Sequence, residues 1–342
     1  AGIDRAVWEL SRELIAPGSG TVTPLPLVGP TGPPYDGVTE FQLTAAADPA
    51  VMGTYALQMT PTPANPNRDV DVVSAGWVPN LNAFVATRTV RVTLTSFASR
   101  FSPPGPLSVN GELLVSGSAT IGEIGQGNVC NSNPPKPAVG TYSSGNTDVS
   151  GNGKICSDAG CSPKGTCDGV SCLESQPDAA TVFDDLQLTQ DELMMLRDLA
   201  KANGTYYTGS QTFTDLPSGV VFVDTASGQP PSLSNLGDLA NVSVTGGNSA
   251  GWLVAMGTVH FNGNLTHNGL VYAADDIIAG NGTATVSGAV ISMNFNDSNA
   301  TQIDTAANGN VTINYDCNAL NQPPGLPKGF FVKPGTWDEV LS

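Results

Sequence analysis

Four short runs, GVVFVD (219–224), GWLVAM (251–256), GLVYAA (269–274) and GAVISM (288–293), share one design: a glycine followed by an unbroken apolar stretch. The last three begin 18 and 19 residues apart. Between them lie TVHFNGNLTHN (258–268) and DDIIAGNGTATVS (275–287), each holding further short strands and Asn-Gly corners. A repeat of this length with several strands per period predicts a β-solenoid. Each rung then buries its apolar side chains against the next, and neighbouring rungs pair in parallel. The alternative is a Gly-rich β-sandwich whose spacing is coincidental.

The same texture occurs earlier, in LSVNGELLVSGSATIG (107–122). Two interruptions separate it from the later rungs: a cysteine-rich segment, 128–176, expected as an inserted loop, and a helix, 189–203. That helix is well punctuated. Thr189 and Glu192 have capping-box spacing, Leu193, Leu196, Leu199 and Ala200 make an apolar stripe, and Asn203-Gly204 supplies the stop. Its expected role is to cap a solenoid end and block edge-to-edge strand addition. The solenoid domain is expected over 105–342, with the tail PPGLPKGFFVKPGTWDEVL (323–341) laid irregularly along a groove.

Upstream, Ile3, Ala6, Val7, Leu10 and Leu14 fall on one stripe of a helix over 1–16, opposite Asp4, Arg5, Glu9, Arg12 and Glu13. Ala1-Gly2 offers no side-chain N-cap. A Pro/Gly connector covers 17–34, and 35–104 reads as an antiparallel sheet buried on one side. RTVRVTLT (88–95) is its clearest strand, with Val90, Val92 and Leu94 on one face. The helix is the obvious cover for that sheet. The fold class is therefore mainly β: an amphipathic helix on an antiparallel sheet, then a parallel β-helix with one capping helix and an inserted cysteine-rich loop.

The 342-residue chain has a net charge of −17 and only 13% charged residues, which argues against nucleic acid or anionic membrane as partners. No hydrophobic run is long enough to span a bilayer, and no signal peptide precedes the helix, which is taken as processing or truncation. Cys130, Cys156, Cys161, Cys167, Cys172 and Cys317 read as disulfide cysteines of an oxidising compartment. Zinc is the weaker reading, because no C-x-x-C occurs and His260 and His267 are remote. The connectivity stays open.

DVSGNGKICSD (148–158) resembles a calcium loop, with Asp148, Ser150 and Asn152 as side-chain ligands, Gly153 at the turn and Lys154 offering its carbonyl. The twelfth position is Ala159 and Asp158 comes one residue early, so affinity is expected to be weak, and a plain Asx/Gly turn is the alternative. Asp224, Asp275, Asp276 and Asp304 are candidate acids for a carbohydrate-cleaving β-helix. Residues 202–327 lack Lys and Arg, however, and Asp275 and Asp276 point to opposite faces if their strand is regular. His260 and His267 read as turn or surface histidines, and no catalytic residue is expected.

Taken together, these features resemble one family. AGIDRAVWEL is similar to the end of the N-terminal region of PilX-type pilus assembly proteins, which are minor-pilin-like subunits of type IV pili. VVSAGW and TRTVRVTL resemble the family's strand pair, and 219–292 resembles its β-helical segment. The resemblance misses 128–176. It implies that the helix is the end of a pilin-like spine whose hydrophobic half is absent, and that Ile3, Ala6, Val7, Leu10 and Leu14 serve packing. The implied role is structural, at the cell surface after an inner-membrane pool, with no cofactor beyond the candidate calcium. Other pilins, minor pilins and a large tip adhesin are the implied partners, and the membrane is met only through the missing helix. The alternatives are a secreted β-helix that binds or cleaves carbohydrate, with Trp252, Phe261, Tyr272 and Phe295 as its aromatics, and a self-polymerising solenoid.

Overall fold

A glycine opens each apolar run because the backbone there leaves no room for a side chain. The computed structural model describes residues 2–15, 35–45, 48–63, 69–78, 86–96, 103, 105–122, 141–145, 147–157, 160–161, 173–175, 179–280, 282–296, 303–316, 319–320, 330–333 and 335–340. Within it Gly219, Gly251, Gly269 and Gly288 stand in register on successive parallel strands. Their φ angles are 101°, 141°, 147° and 149°, a region that L side chains avoid. A Cβ on Gly251, Gly269 or Gly288 would collide with the carbonyl oxygen of the glycine one rung before.

The described residues fall into two units, one formed by those up to 96 with 330–340, the other by those from 103 to 320. In the second unit the described strands join one continuous 17-stranded sheet, so the sandwich alternative fails. Its rungs do not follow chain order. Strand Gly219–Asp224 pairs with Ala240–Ala255, which pairs with Gly257–Ala273, and that with Ile277–Ala279 and Thr283–Ser292. The next rung uses Thr305–Ala307 and Asn310–Tyr315. Its third side comes from far upstream: Leu107–Val109 stacks on Thr283–Ser292, with Val290 opposite Leu107. Leu113–Val115 and Thr120–Gly122 then stack on Thr305–Ala307 and Asn310–Tyr315. The chain thus enters the stack in its middle, winds to one end, crosses to the other and winds back to meet its own start.

The interior is aliphatic: Val109, Val115, Ile121, Val242, Leu253, Val271, Val290 and Ile313 belong to one core. The runs after the column glycines do not alternate with polar residues because their outward side chains are buried too. Phe222, Trp252, Tyr272 and Ile291 are each at most 3% exposed. Part of their cover comes from the crossover and the C-terminal segment. Leu188 N–H donates to the Tyr272 hydroxyl at 3.4 Å, and Trp252 Nε1–H donates to the Leu320 carbonyl at 3.2 Å.

The helix Gln190–Asn203 has the punctuation read from its sequence. Glu192 N–H donates to Thr189 Oγ1 at 3.4 Å, and Gly204 takes the left-handed conformation at φ 71°. Its position corrects the end-cap expectation. Arg197 sits 5.4 Å over Phe222 and Lys201 4.8 Å over Tyr206, both outward-facing rings, so the helix covers a side. On the core side of that end, Tyr207 and Phe213 meet edge-on at 5.1 Å.

The inserted-loop expectation for 128–176 is corrected as well. Its described strands continue the stack: Thr141–Ser143 lies on Leu107–Val109, Thr147–Val149 on Leu113–Val115, Lys154–Ser157 on Thr120–Gly122, and Leu173–Ser175 on Thr141–Ser143.

In the first unit, Phe41–Ala45, Asp48–Pro61, Asp69–Val78 and Ala86–Ser96 form an antiparallel meander. The helix Gly2–Ile15 lays Ile3, Ala6 and Leu10 on Leu57, Met59, Val72, Leu94 and Phe330. The tail is not an irregular end of a solenoid reaching 342. Phe330–Val332 and Asp338–Val340 pair antiparallel with Ala86–Ser96 and belong to this sheet.

Replacing Gly269 by Ala forces a Cβ onto the Gly251 carbonyl in a conformation reserved for glycine, a strain of about 1–3 kcal/mol or more. Thermal unfolding of Gly269→Ala is expected to show a clearly lowered Tm. Gly280→Ala, where a Cβ meets nothing within 4 Å, serves as control and leaves Tm nearly unchanged.

Candidate functional site

Two regions gather the residues singled out by the sequence. The first is the helix face of the first unit. Ile3, Ala6 and Leu10 are buried, and Val7 is half-buried against the same core. The side chain of Leu14 lies outside the described residues. Burial of Ile3 and Leu10 contributes about 2 kcal/mol each. Close approach starts at Gly2, where a Cβ would strike the Ser74 side chain. Arg5 holds the polar flank: its guanidinium lies 4.2 Å over Phe41 and hydrogen-bonds the side chains of Tyr55 and Tyr35. Those three rings stack in sequence, at 6.0 Å for Tyr35–Phe41 and 5.4 Å for Phe41–Tyr55.

The second region is a corner of the solenoid. Asp275 and Asp276 were expected to point apart on a regular strand, but they lie in a bend between Gly257–Ala273 and Ile277–Ala279. The bend leaves Asp276 within electrostatic reach of both Asp275 and Asp304. Asp275 accepts from Thr258 Oγ1 at 3.1 Å and from Asn296 N–H at 2.9 Å. Asp304 accepts from Glu112 N–H at 2.7 Å. Asp276 Oδ1 is buried with no hydrogen-bond partner. Burial first, then the charges of Asp275 and Asp304, push its carboxyl up to about 7. Gly111 fits against this corner because a Cβ there would strike the Asp304 carboxylate and the Asn294 amide. Asp275 and Asp304 are each only 7% exposed, so the pair is closed to a sugar ring.

Asp224, the fourth candidate acid, lies apart. It is fully buried, paired with Arg197 at 2.6 Å and accepting from the Tyr206 hydroxyl at 3.0 Å. Nothing local in the sequence singles out Arg197 or Tyr206, because both partners come from elements that meet only in the fold. Glu112 and Asn294 were missed for the same reason.

The calcium-like stretch forms a corner of the stack. Ser150, Asn152 and Lys154 donate their N–H groups to the carbonyls of Val115, Gly117 and Ala119 on the rung before. The side chains of Asp148, Ser150, Asn152 and Lys154 are exposed, and Asp158 lies outside the described residues. Among the described residues no three His, Cys, Asp or Glu side chains gather as a metal-holding group. Cys156 is buried and disulfide-bonded, and its backbone stands opposite Cys161. The side chain of Cys161 and the whole of Cys130, Cys167, Cys172 and Cys317 lie outside the described residues.

The surface reading of the histidines is corrected at His267, which is 1% exposed. It points inward from the same strand face as Leu265, an alternation visible in NLTHN. The neutral ring accepts from the Ser249 hydroxyl at Nδ1, 2.9 Å, and donates from Nε2 to the Leu270 carbonyl, 3.3 Å. Burial holds its pKa down to about 4. His260 is half-buried on the outer face.

No protein-family model matches the chain, and no curated protein matches it. Among solved structures it is similar to the competence-associated pilin ComZ of Thermus thermophilus, at 12% identity over 88% of this chain and 86% of that one, with a TM-score of 0.27. A likeness of that size carries no functional argument by itself.

The buried His267 sets a pH dependence with a definite sign. Its folded pKa, about 4, lies below the ordinary value of 6.5, so the unfolded chain binds the extra proton between them. Stability is therefore lost as pH falls through that window. In urea titrations, wild type is expected to lose of the order of 2–3 kcal/mol relative to His267→Gln between pH 7 and pH 4. Parallel pH profiles for the two proteins would contradict the buried neutral histidine.

Proposed function

We propose that the chain is a structural, pilin-like subunit of a type IV pilus or related extracellular filament. The observation that carries this reading is the helix Gly2–Ile15, whose stripe of Ile3, Ala6 and Leu10 seals one face of an antiparallel sheet. Helix on sheet is the arrangement that the resemblance of AGIDRAVWEL implies for a pilin head, and the opposite helix face carries Asp4 in solvent. The role is structural rather than catalytic: of the grouped acids Asp275 and Asp304 are each only 7% exposed, which leaves half-buried Asp276 without an accessible second carboxylate. Other pilins and minor pilins are the proposed partners along the filament. The solenoid unit, with its disulfide cysteines, is the part presented outward, to a tip adhesin or another surface. Calcium at the 148–158 corner would be accessory to this role.

A carbohydrate-binding solenoid draws less support. Trp252, Phe261 and Tyr272 are each at most 3% exposed and form no platform for a sugar.

The test is genetic and microscopic. Antibodies against the solenoid unit are expected to label surface filaments of the producing organism, and deleting the gene is expected to reduce filament number. Unchanged filaments in the deletion strain, with the protein found only free in the medium, would contradict the assignment.

A further inference from the structure

The crossing path of the chain creates a seam. Residues 107–157 and 206–315 are two separately wound stretches of rungs that meet where Leu107–Val109, Leu113–Val115 and Thr120–Gly122 stack on Thr283–Ser292, Thr305–Ala307 and Asn310–Tyr315. Among the described residues the other rung junctions join strands close in sequence, whereas this one joins strands far apart in the chain through backbone pairing and a few side-chain hydrogen bonds. Its ladder includes Asn110 N–H to the Ser292 carbonyl at 2.9 Å and Ser116 N–H to the Ala307 carbonyl at 2.9 Å.

The carboxylate corner sits on this seam. Glu112 N–H is held by the Asp304 carboxylate at 2.7 Å, and the Glu112 carbonyl accepts from Asp304 N–H at 3.2 Å and Thr305 N–H at 3.1 Å. Asn110 Nδ2–H donates to the Met293 carbonyl at 3.2 Å. Within the second stretch, Ile277 N–H donates to Thr305 Oγ1 at 3.4 Å, which sets Asp276 one rung behind Asp304 and its clasp. We propose that Asp276, one rung behind Asp304, is a proton-operated latch for the seam: protonated it leaves the two stretches closed, and ionised it loosens them by acting on the Asp304 clasp.

The charges around it decide the direction. Asp275 and Asp304 face Asp276, and Glu112 adjoins Asp304 across the seam. His260 is the titratable base on the neighbouring strand, in register with Ile278 two residues beyond Asp276. Thr258, Asn294 and Thr305 are neutral. No Lys or Arg occurs in 101–122 or 202–327, so the strands that form the seam supply no cation to offset three carboxylates; Lys154, the described lysine of the first stretch, lies one rung further on with its side chain exposed. A buried Oδ1 without a hydrogen bond is stable as part of a carboxylic acid and costly as part of an anion. The raised pKa, about 7, agrees: the closed seam binds the proton, and opening returns Asp276 to water and its ordinary acidity near 3.8. Closure is therefore fully supported below the ordinary value and is lost as pH rises towards 7.

Hydrogen exchange on the intact chain, corrected for intrinsic chemistry, tests this. Seam amides Asn110, Ser116 and Ser118 are compared with Ala274 and Met256, whose bonds to Ala255 and Val223 lie within one stretch. In wild type the seam amides are expected to lose roughly one to two orders of magnitude of protection between pH 5 and pH 8 while the reference amides hold. In Asp276→Asn the seam profile is expected to be flat. Equal behaviour of seam and reference amides in wild type, or an unchanged seam profile in Asp276→Asn, would overturn the latch. A carbon-13 carboxyl titration of wild type gives a readout that needs no variant. One aspartate titrating near 7, with the Ile277 and Thr305 amides shifting at the same midpoint, supports it. All aspartates titrating below about 5, the ordinary carboxylate range, overturns it.

Discussion

Backbone meeting backbone at a column of glycines is the contact on which the solenoid depends. Where Gly251, Gly269 and Gly288 stack, each sits against the carbonyl of the one before, and φ values of 141° to 149° exclude any other residue. Because the strands bend there without a side chain in the way, the apolar runs that follow lie in register. Leu253, Val271 and Val290 then line one interior, while Trp252, Leu270 and Ala289 turn outward beneath other segments. The unbroken apolar character of those runs follows from burial on both faces, as in parallel sheets generally.

A stack held this way need not be wound in one pass. Strand Leu107–Val109 finds its partner in Thr283–Ser292, which is made much later in the chain, so the middle rungs close only after the last ones exist. Such long-range pairing carries a high closure entropy and slow formation. It also leaves a junction without covalent continuity, clasped by Glu112 and Asp304 and burdened by Asp276. The proposed latch therefore places the weakest rung interface inside the stack rather than at its ends.

The column glycines and the helix punctuation at Thr189, Glu192 and Gly204 were legible because they are local: the residues that set the geometry are neighbours in sequence. The stripe of Ile3, Ala6 and Leu10 was legible for the same reason. The rung order was not, because Leu107–Val109 carries the same pattern as any rung strand and nothing in it names its partner. The cysteine-rich segment looked foreign because its Gly/Ser/Cys composition hid Val149 and Ile155, two inward side chains that continue the core. The grouping of Asp275 with Asp276 was misjudged by assuming a regular strand where the chain bends. His267 was misjudged because a histidine in an Asn/Thr-rich stretch reads as surface, whereas its alternation with Leu265 turns it inward. Asp224 was noticed as a carboxylate, but its role came only with Arg197, supplied by a helix across the fold.

The proposed filament role and the seam latch both need an N-terminal head and a solenoid that folds as described, and the re-entrant middle rung is its least expected feature. Methyl nuclear Overhauser spectroscopy on the intact chain addresses it directly. Leu107 and Val290, and Ile121 and Ile313, face one interior from paired strands, so each pair should give a strong cross-peak. Cross-peaks joining Leu107 and Ile121 only to residues of their own stretch, with Val290 and Ile313 silent towards both, would contradict the account.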